Sequence, residues 1–292
     1  MTRLLITTEE HDFVVFDLSS NTITHCQPKT KELDSPNLQG KGRPTYRPFG
    51  VDVDDQYIYI ASNDKLGKFD KTSYEFKGLI SLPMVINTHQ IVKDQDTFYI
   101  CHTAIDTIGI HDVKNKINKY VNVNLLNRVD IHLQPLNADQ LDSRHINSLF
   151  DVGDKVYFCR HNKNLVESDF GYFDKINTFD IKLVARAGKC CHNIKIMNNY
   201  LYTLSSGTGE ILEIDLNTNI SKPFKLVDSS STFLRGLDIH DDKIIMGCSV
   251  NYKTNTKDKC CYIIVVDIKN NTTSKYFIDG IKFINDLKVV ID

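Results

Sequence analysis

Three histidines, His89, His145 and His192, each stand at the start of a short apolar segment, where a structural strand has little use for a titratable ring. Phe49 and Arg235 open two more such segments, and the five leads recur at intervals of about 40 to 56 residues. Neutral imidazoles brought to one point suit zinc, iron, nickel or copper, and a three-histidine site with an open position can activate water or oxygen. The sequence therefore predicts His89, His145 and His192 as metal ligands, with Gln90, Asn147 and Asn193 close by to hold the rings. Arg47, Arg144, Arg160 and Arg235 offer the alternative of gripping a carboxylate or phosphate through charge-assisted bonds. Asn147, His161 and Ser206 fall in the same expected ligand-binding set. Arg235 is expected to orient an anionic substrate, and Glu10 or His102 to move protons.

These residues must be held by something that repeats. "RPFGVDVDDQYIYIAS" from Arg47, "THQIVKDQDTFYICH" from Thr88, "RHINSLFDVGDKVYFCRH" from Arg144, "CHNIKIMNNYLYTLSS" from Cys191 and "LRGLDIHDDKIIMGCS" from Leu234 align as one pattern. Each has a polar or glycine-containing lead, an alternating strand, a polar turn and a second apolar strand. A third strand ending in aspartate follows, at Asp17, Asp70, Asp112, Asp215 and Asp267, and then a more polar fourth. Four strands every 40–45 residues is the size of a propeller blade. The N-terminal segment begins at what would be a second strand, and the C-terminal "DGIKFINDLKVVID" supplies a first. Joining them closes the ring and leaves no exposed sheet edge. The expected fold is all-β: residues 1–292 as one six-bladed β-propeller, four antiparallel strands per blade, with a loop insertion over residues 121–142. Blade leads and second-strand ends share one face of such a ring, which puts these side chains, with Asp279 as the sixth lead, around one mouth of the channel.

The segment from Cys190 to Leu216, with the one after it, resembles a propeller family of no assigned activity. Its members carry a His-led strand, a D-S-G-T-G-E turn, an R-G-L strand and a V-G-x-S strand. Here these are His192, residues 205–210, residues 235–237 and residues 247–249, with Ser205 where an aspartate is usual. The specific likeness covers about 60 residues, while the remainder is similar in WD40- or NHL-like blade rhythm. More distantly the chain looks like the six-bladed group of regucalcin, gluconolactonase, paraoxonase and strictosidine synthase. In the first three an axial calcium is held by Glu, Asn and Asp, so the resemblance implies calcium as the alternative to a transition metal.

Bulk properties remove other classes. A net charge of -2 gives no basic field for nucleic acid, and no apolar run approaches a membrane span. The eight cysteines include two vicinal pairs and no CxxC, which points to reduced thiols rather than a zinc knuckle or disulfide framework. The N-terminus does not read as a signal peptide, so the expected location is the cytoplasm, or a host's cytoplasm for a viral protein, as the Asn- and Lys-rich composition hints. "SSGTGE" lacks the lysine and helix of a phosphate loop and reads as a β-turn. Two functions follow as expectations. One is a small-molecule or metal site at the axis, as a lyase, hydrolase or oxygenase or a binding relative of one. The other is an interaction scaffold meeting a protein partner through the 121–142 insertion.

Overall fold

The computed structural model describes residues 2–34, 47–123, 142–178, 180–227, 232–250 and 261–291. The insertion expected over residues 121–142 lies mostly outside them. Six four-stranded sheets, each antiparallel throughout, form the molecule. Their innermost strands are Gly50–Val53, Thr88–Asp94, Ile146–Val152, Cys191–Met197, Thr232–His240 and Ile284–Ile291. Each packs against the next, and the last packs against the first, so the sheets close into a ring. The sixth blade is composite: Ile284–Ile291 pairs with Thr2–Thr8, which continues to Phe13–Asp17 and Thr22–Gln27. No helix among the described residues is long and apolar enough to cross a membrane.

The alternation expected of these strands is confined to the outermost position, as in Thr22–Gln27 and Phe76–Ile80. Second and third strands are buried on both faces, because each blade is covered by two neighbours, and they read as unbroken apolar runs such as Cys261–Asp267. Alternate side chains of one strand serve different cores. Leu4 and Ile6 pack with Ile245, Ile263 and Ile284, whereas Leu5 packs with Val51, Ile58 and Phe69. Among the described residues six such clusters form, one per blade interface.

The aspartates that end third strands close turns. Asp17 Oδ1 accepts from the backbone N–H groups of Ser19 and Ser20, Asp70 Oδ1 from Thr72 and Ser73, and Asp112 Oδ1 from Asn115. Those bonds hold each carboxyl below its ordinary pKa and account for the repeat without any catalytic role. The seven cysteines among the described residues are free thiols.

Candidate functional site

The lead residues owe their direction to bulges. Pairing with the second strand slips within the innermost strand between Thr88 and Ile91, Ile146 and Ser148, His192 and Ile194, and Arg235 and Leu237. A bulge re-aims the side chains beside it. At two of these slips the backbone is left-handed, Asn193 at φ 55° and Gly236 at φ 74°. A Cβ on Gly236 would lie 2.8 Å from the Leu287 backbone nitrogen, so the close approach of the neighbouring strand requires glycine.

Residues displaced by the bulges bind one blade to the next. Gln90 Oε1 accepts from the Leu149 N–H at 2.7 Å, and Asn147 Nδ2 donates to the Cys191 carbonyl at 2.9 Å. Asn193 Oδ1 accepts from the Gly236 N–H, while its Nδ2 donates to Asp286 Oδ1. Asn285 Nδ2 donates to the Pro48 carbonyl, and Asp286 Oδ2 accepts from the Val51 N–H. These polar groups tie the channel wall and are spent there. Asn147, expected to contact ligand, is one of them.

Beyond this belt the leads form a closed loop of rings. Phe49 stacks on His89 at 4.6 Å, and His89 meets His145 at 4.9 Å. His145 meets His161 at 5.0 Å, His161 meets His192 at 4.9 Å, and His192 meets Phe233 at 5.0 Å. Phe233 then stacks on Phe283 at 6.1 Å. Arg47 completes the circuit, its guanidinium 5.4 Å from the Phe49 ring centre and 5.9 Å from that of Phe283. Arg235 lies over Phe233 and Phe283 at 4.9 and 5.6 Å. Phe283 occupies the sixth lead in place of the expected Asp279.

The partners of each imidazole fix its proton. His192 Nδ1 donates to the Cys190 carbonyl at 2.8 Å, with Ser206 Oγ 3.0 Å away, which leaves Nε2 as a buried lone pair without a partner. His145 Nδ1 donates to Asp142, 3.1 Å from Oδ2, and its backbone N–H is held by Asp106 Oδ1. His161 is the reverse case: Nδ1 accepts from the Lys163 N–H at 3.0 Å, so the proton sits on Nε2. Burial drives His89 and His192 well below the ordinary imidazole pKa, and the Arg235 charge adds to the effect in both. His161 is pushed down to about 3 by burial, then by His145 and Arg235. These three rings are neutral bases beside fixed positive charge.

The expected three-histidine metal set does not assemble. His161 stands between His145 and His192 in the sequence of ring contacts, and its Nε2 carries a proton. No group of three or more His, Cys, Asp or Glu side chains among the described residues is placed to hold a metal.

Other expected residues are placed elsewhere. His102 turns away from the axis to pack against His111 and Tyr120 on the outer strands of its own blade. Arg160 is buried in an ion pair with Asp169 at 2.7 Å and donates to the Val123 carbonyl, so it braces the outer strands instead of meeting ligand. Ser206 donates to the Leu234 carbonyl at 2.6 Å and supports His192. Arg144 contributes backbone, donating its N–H to Asp106 and accepting from the Asn162 N–H. Glu9 is the carboxylate that reaches Arg47, its Oε1 2.9 Å from Nε, while Glu10 is half-buried with Oε2 lacking a partner. Phe233, Phe283 and Asp142 were not singled out in the sequence. The only available cue was aromatic residues beside the leads.

No protein-family model matches the chain, and no curated protein matches it. Solved structures do. A chain from the crystal structure of a nidogen/laminin complex superposes with a TM-score of 0.70 at 12% identity, covering 100% of this chain and 99% of that one. Hydrazine synthase from Kuenenia stuttgartiensis gives a TM-score of 0.55 at 12% identity, over 78% of this chain and 65% of that one. The fold is a six-bladed β-propeller. At such identity the likeness carries the architecture and nothing about ligand.

Proposed function

We propose that the propeller binds a small organic anion, a carboxylate on a planar or partly apolar body, within the loop of rings at the mouth of the channel. The observation that supports this reading is electrostatic. Burial first, and the positive charge of Arg235 after it, lower the basicity of His89, His161 and His192, so the Arg235 guanidinium lies among uncharged rings. A carboxylate beside Arg235 offsets that positive potential and gains a charge-assisted bond, with His161 Nε2–H as a second donor. The faces of Phe49, Phe233 and Phe283 suit the body of the ligand. In this reading Arg235 keeps its expected role, His161 donates, and His89 and His192 are neutral walls and acceptors. Arg47 is partly matched by Glu9 and acts through its place over Phe49 and Phe283.

The test is calorimetric titration with a panel of mono- and dicarboxylates, aliphatic and aromatic, with inorganic phosphate as comparison. One or more carboxylates should saturate a single site, and Arg235→Gln should weaken that binding about 10–100-fold, the worth of one charge-assisted hydrogen bond. Absence of saturable binding across the panel, or binding indifferent to Arg235→Gln, removes the proposal and leaves the scaffold reading.

A further inference from the structure

Two of the bulged residues are tied to each other. Asn193, beside His192, and Gly236, beside Arg235, stand at the slips of the fourth and fifth blades, and Asn193 Oδ1 accepts from the Gly236 N–H at 2.8 Å. The other end of the same amide, Nδ2, donates to Asp286 Oδ1 at 2.8 Å. Gly236 also packs on the Asp286 backbone, where a Cβ would lie 3.0 Å from the Asp286 carbonyl carbon. Asp286 therefore stands one hydrogen bond from the residue that follows His192 and two from the residue that follows Arg235. Its neighbour Asn285 meets Arg235 itself, accepting from Nη1 at a long 3.5 Å.

Neutral amides supply the hydrogen bonds to this buried carboxylate. Oδ1 accepts from Asn193 Nδ2 and the Leu287 N–H, and Oδ2 accepts from the Val51 N–H. The cations that face it are engaged by other carboxylates, Lys195 by Asp238 at 2.9 Å and Lys288 by Asp52 at 2.8 Å. Lys93 and Asp151 line the same cavity and pair with Asp54 and Lys175, and the Cys101 thiol feels the Asp286 charge from the second blade. Burial raises the Asp286 carboxyl to about 7 against the pull of Lys195, so its protonation changes close to neutral pH.

We propose that Asp286 is a positioning residue for the mouth: acting through the Asn193 amide, its carboxylate holds the two bulges that aim His192 and Arg235, and its protonation state reaches both leads. The ionised form gives Asn193 a charge-assisted bond. A proton on Oδ2 gives up the long 3.3 Å contact with the Val51 N–H and leaves the Asn193 bond a weaker, neutral one. A less polarised Asn193 amide in turn holds the Gly236 N–H more loosely. One consequence rests on the carboxylate site proposed above. Ionised Asp286 adds negative charge to the channel wall behind that site, so affinity should fall as pH rises through 7.

The experiment follows assigned backbone amides of the full chain by NMR from pH 5.5 to pH 8.5. Leu287 and Val51, which donate to Asp286 directly, and Gly236, which donates through Asn193, should shift with one midpoint near 7. Asp286→Asn should lose that titration at all three. Asn193→Gly keeps the left-handed φ of 55° and removes the amide, so it should silence Gly236 and leave Leu287 and Val51 titrating. A Gly236 amide that does not titrate in the parent, or that titrates unchanged in Asn193→Gly, would overturn the proposal. The parent spectrum decides this even where a variant fails to fold. The tightest carboxylate of the calorimetric panel should bind about fivefold more weakly at pH 8 than at pH 6, beyond any change seen in Asp286→Asn, the low end for coupled sites. If no carboxylate binds, the ligand reading falls, and the amide titration still decides the role of Asp286.

Discussion

Removing the His102 imidazole should flatten the response of the protein to mild acid. His102 is wholly buried, and burial, followed by the neighbouring His111, pushes its pKa down to about 3 from 6.5. The native state therefore holds the ring neutral while the unfolded chain takes up a proton as pH falls below 6.5. The contribution is fully present above 6.5 and is lost as pH falls toward 3. From a shift of this size, linkage gives a loss of about 2 kcal/mol between pH 7.5 and pH 5, or about 4 °C in Tm for a chain of this length. His102→Gln keeps an acceptor for the Ile86 N–H and cannot titrate. The comparison is between slopes: urea unfolding of parent and variant at both pH values. The variant should lose about 2 kcal/mol less than the parent on acidification, whatever its stability at pH 7.5. Equal losses would mean that His102 titrates near its ordinary value, and the picture of a dry imidazole pocket would be wrong.

Asp286 should show the opposite sign. Burial raises its carboxyl to about 7 against the pull of Lys195, so its contribution is full below 3.8 and is lost as pH rises through 7. Asp286→Asn should then lose less Tm than the parent between pH 6 and pH 8 in a thermal melt, and an unchanged difference would contradict the assignment. Arg160→Ala strands the buried Asp169 with Arg186 and Asn162 as its remaining partners. Urea titration should report a loss of about 3 kcal/mol, the low end for breaking a buried pair.

Blade count and ring closure could be read directly from the chain, because turn chemistry and strand length recur independently of what any one side chain touches. The convergence of His89, His145, His161 and His192 was also legible, since equivalent positions on a ring must meet. What each lead does once there was not. His102 and Arg160 end second strands, as the expected outer ring requires, yet both side chains turn along their own sheet to partners on the third strand. Strand faces alternate at every residue, and only the pairing register says which face is which. The bulges were equally hidden: a slip of one residue makes Asn147 a tie between blades rather than a ligand contact, and Asn193 such a tie rather than a support for a histidine ring. Phe233 and Phe283 escaped notice because a phenylalanine in a β-protein reads as core by default.

The composite blade has a consequence for when the mouth exists at all. Arg47 and Phe49 come from the early part of the chain and Phe283 from its far end, and they meet once Ile284–Ile291 has paired with Thr2–Thr8. The circuit of rings stays broken until Ile284–Ile291 has paired with Thr2–Thr8. A ligand that needs the whole circuit recognises the latched molecule alone, and its binding energy adds to the latch.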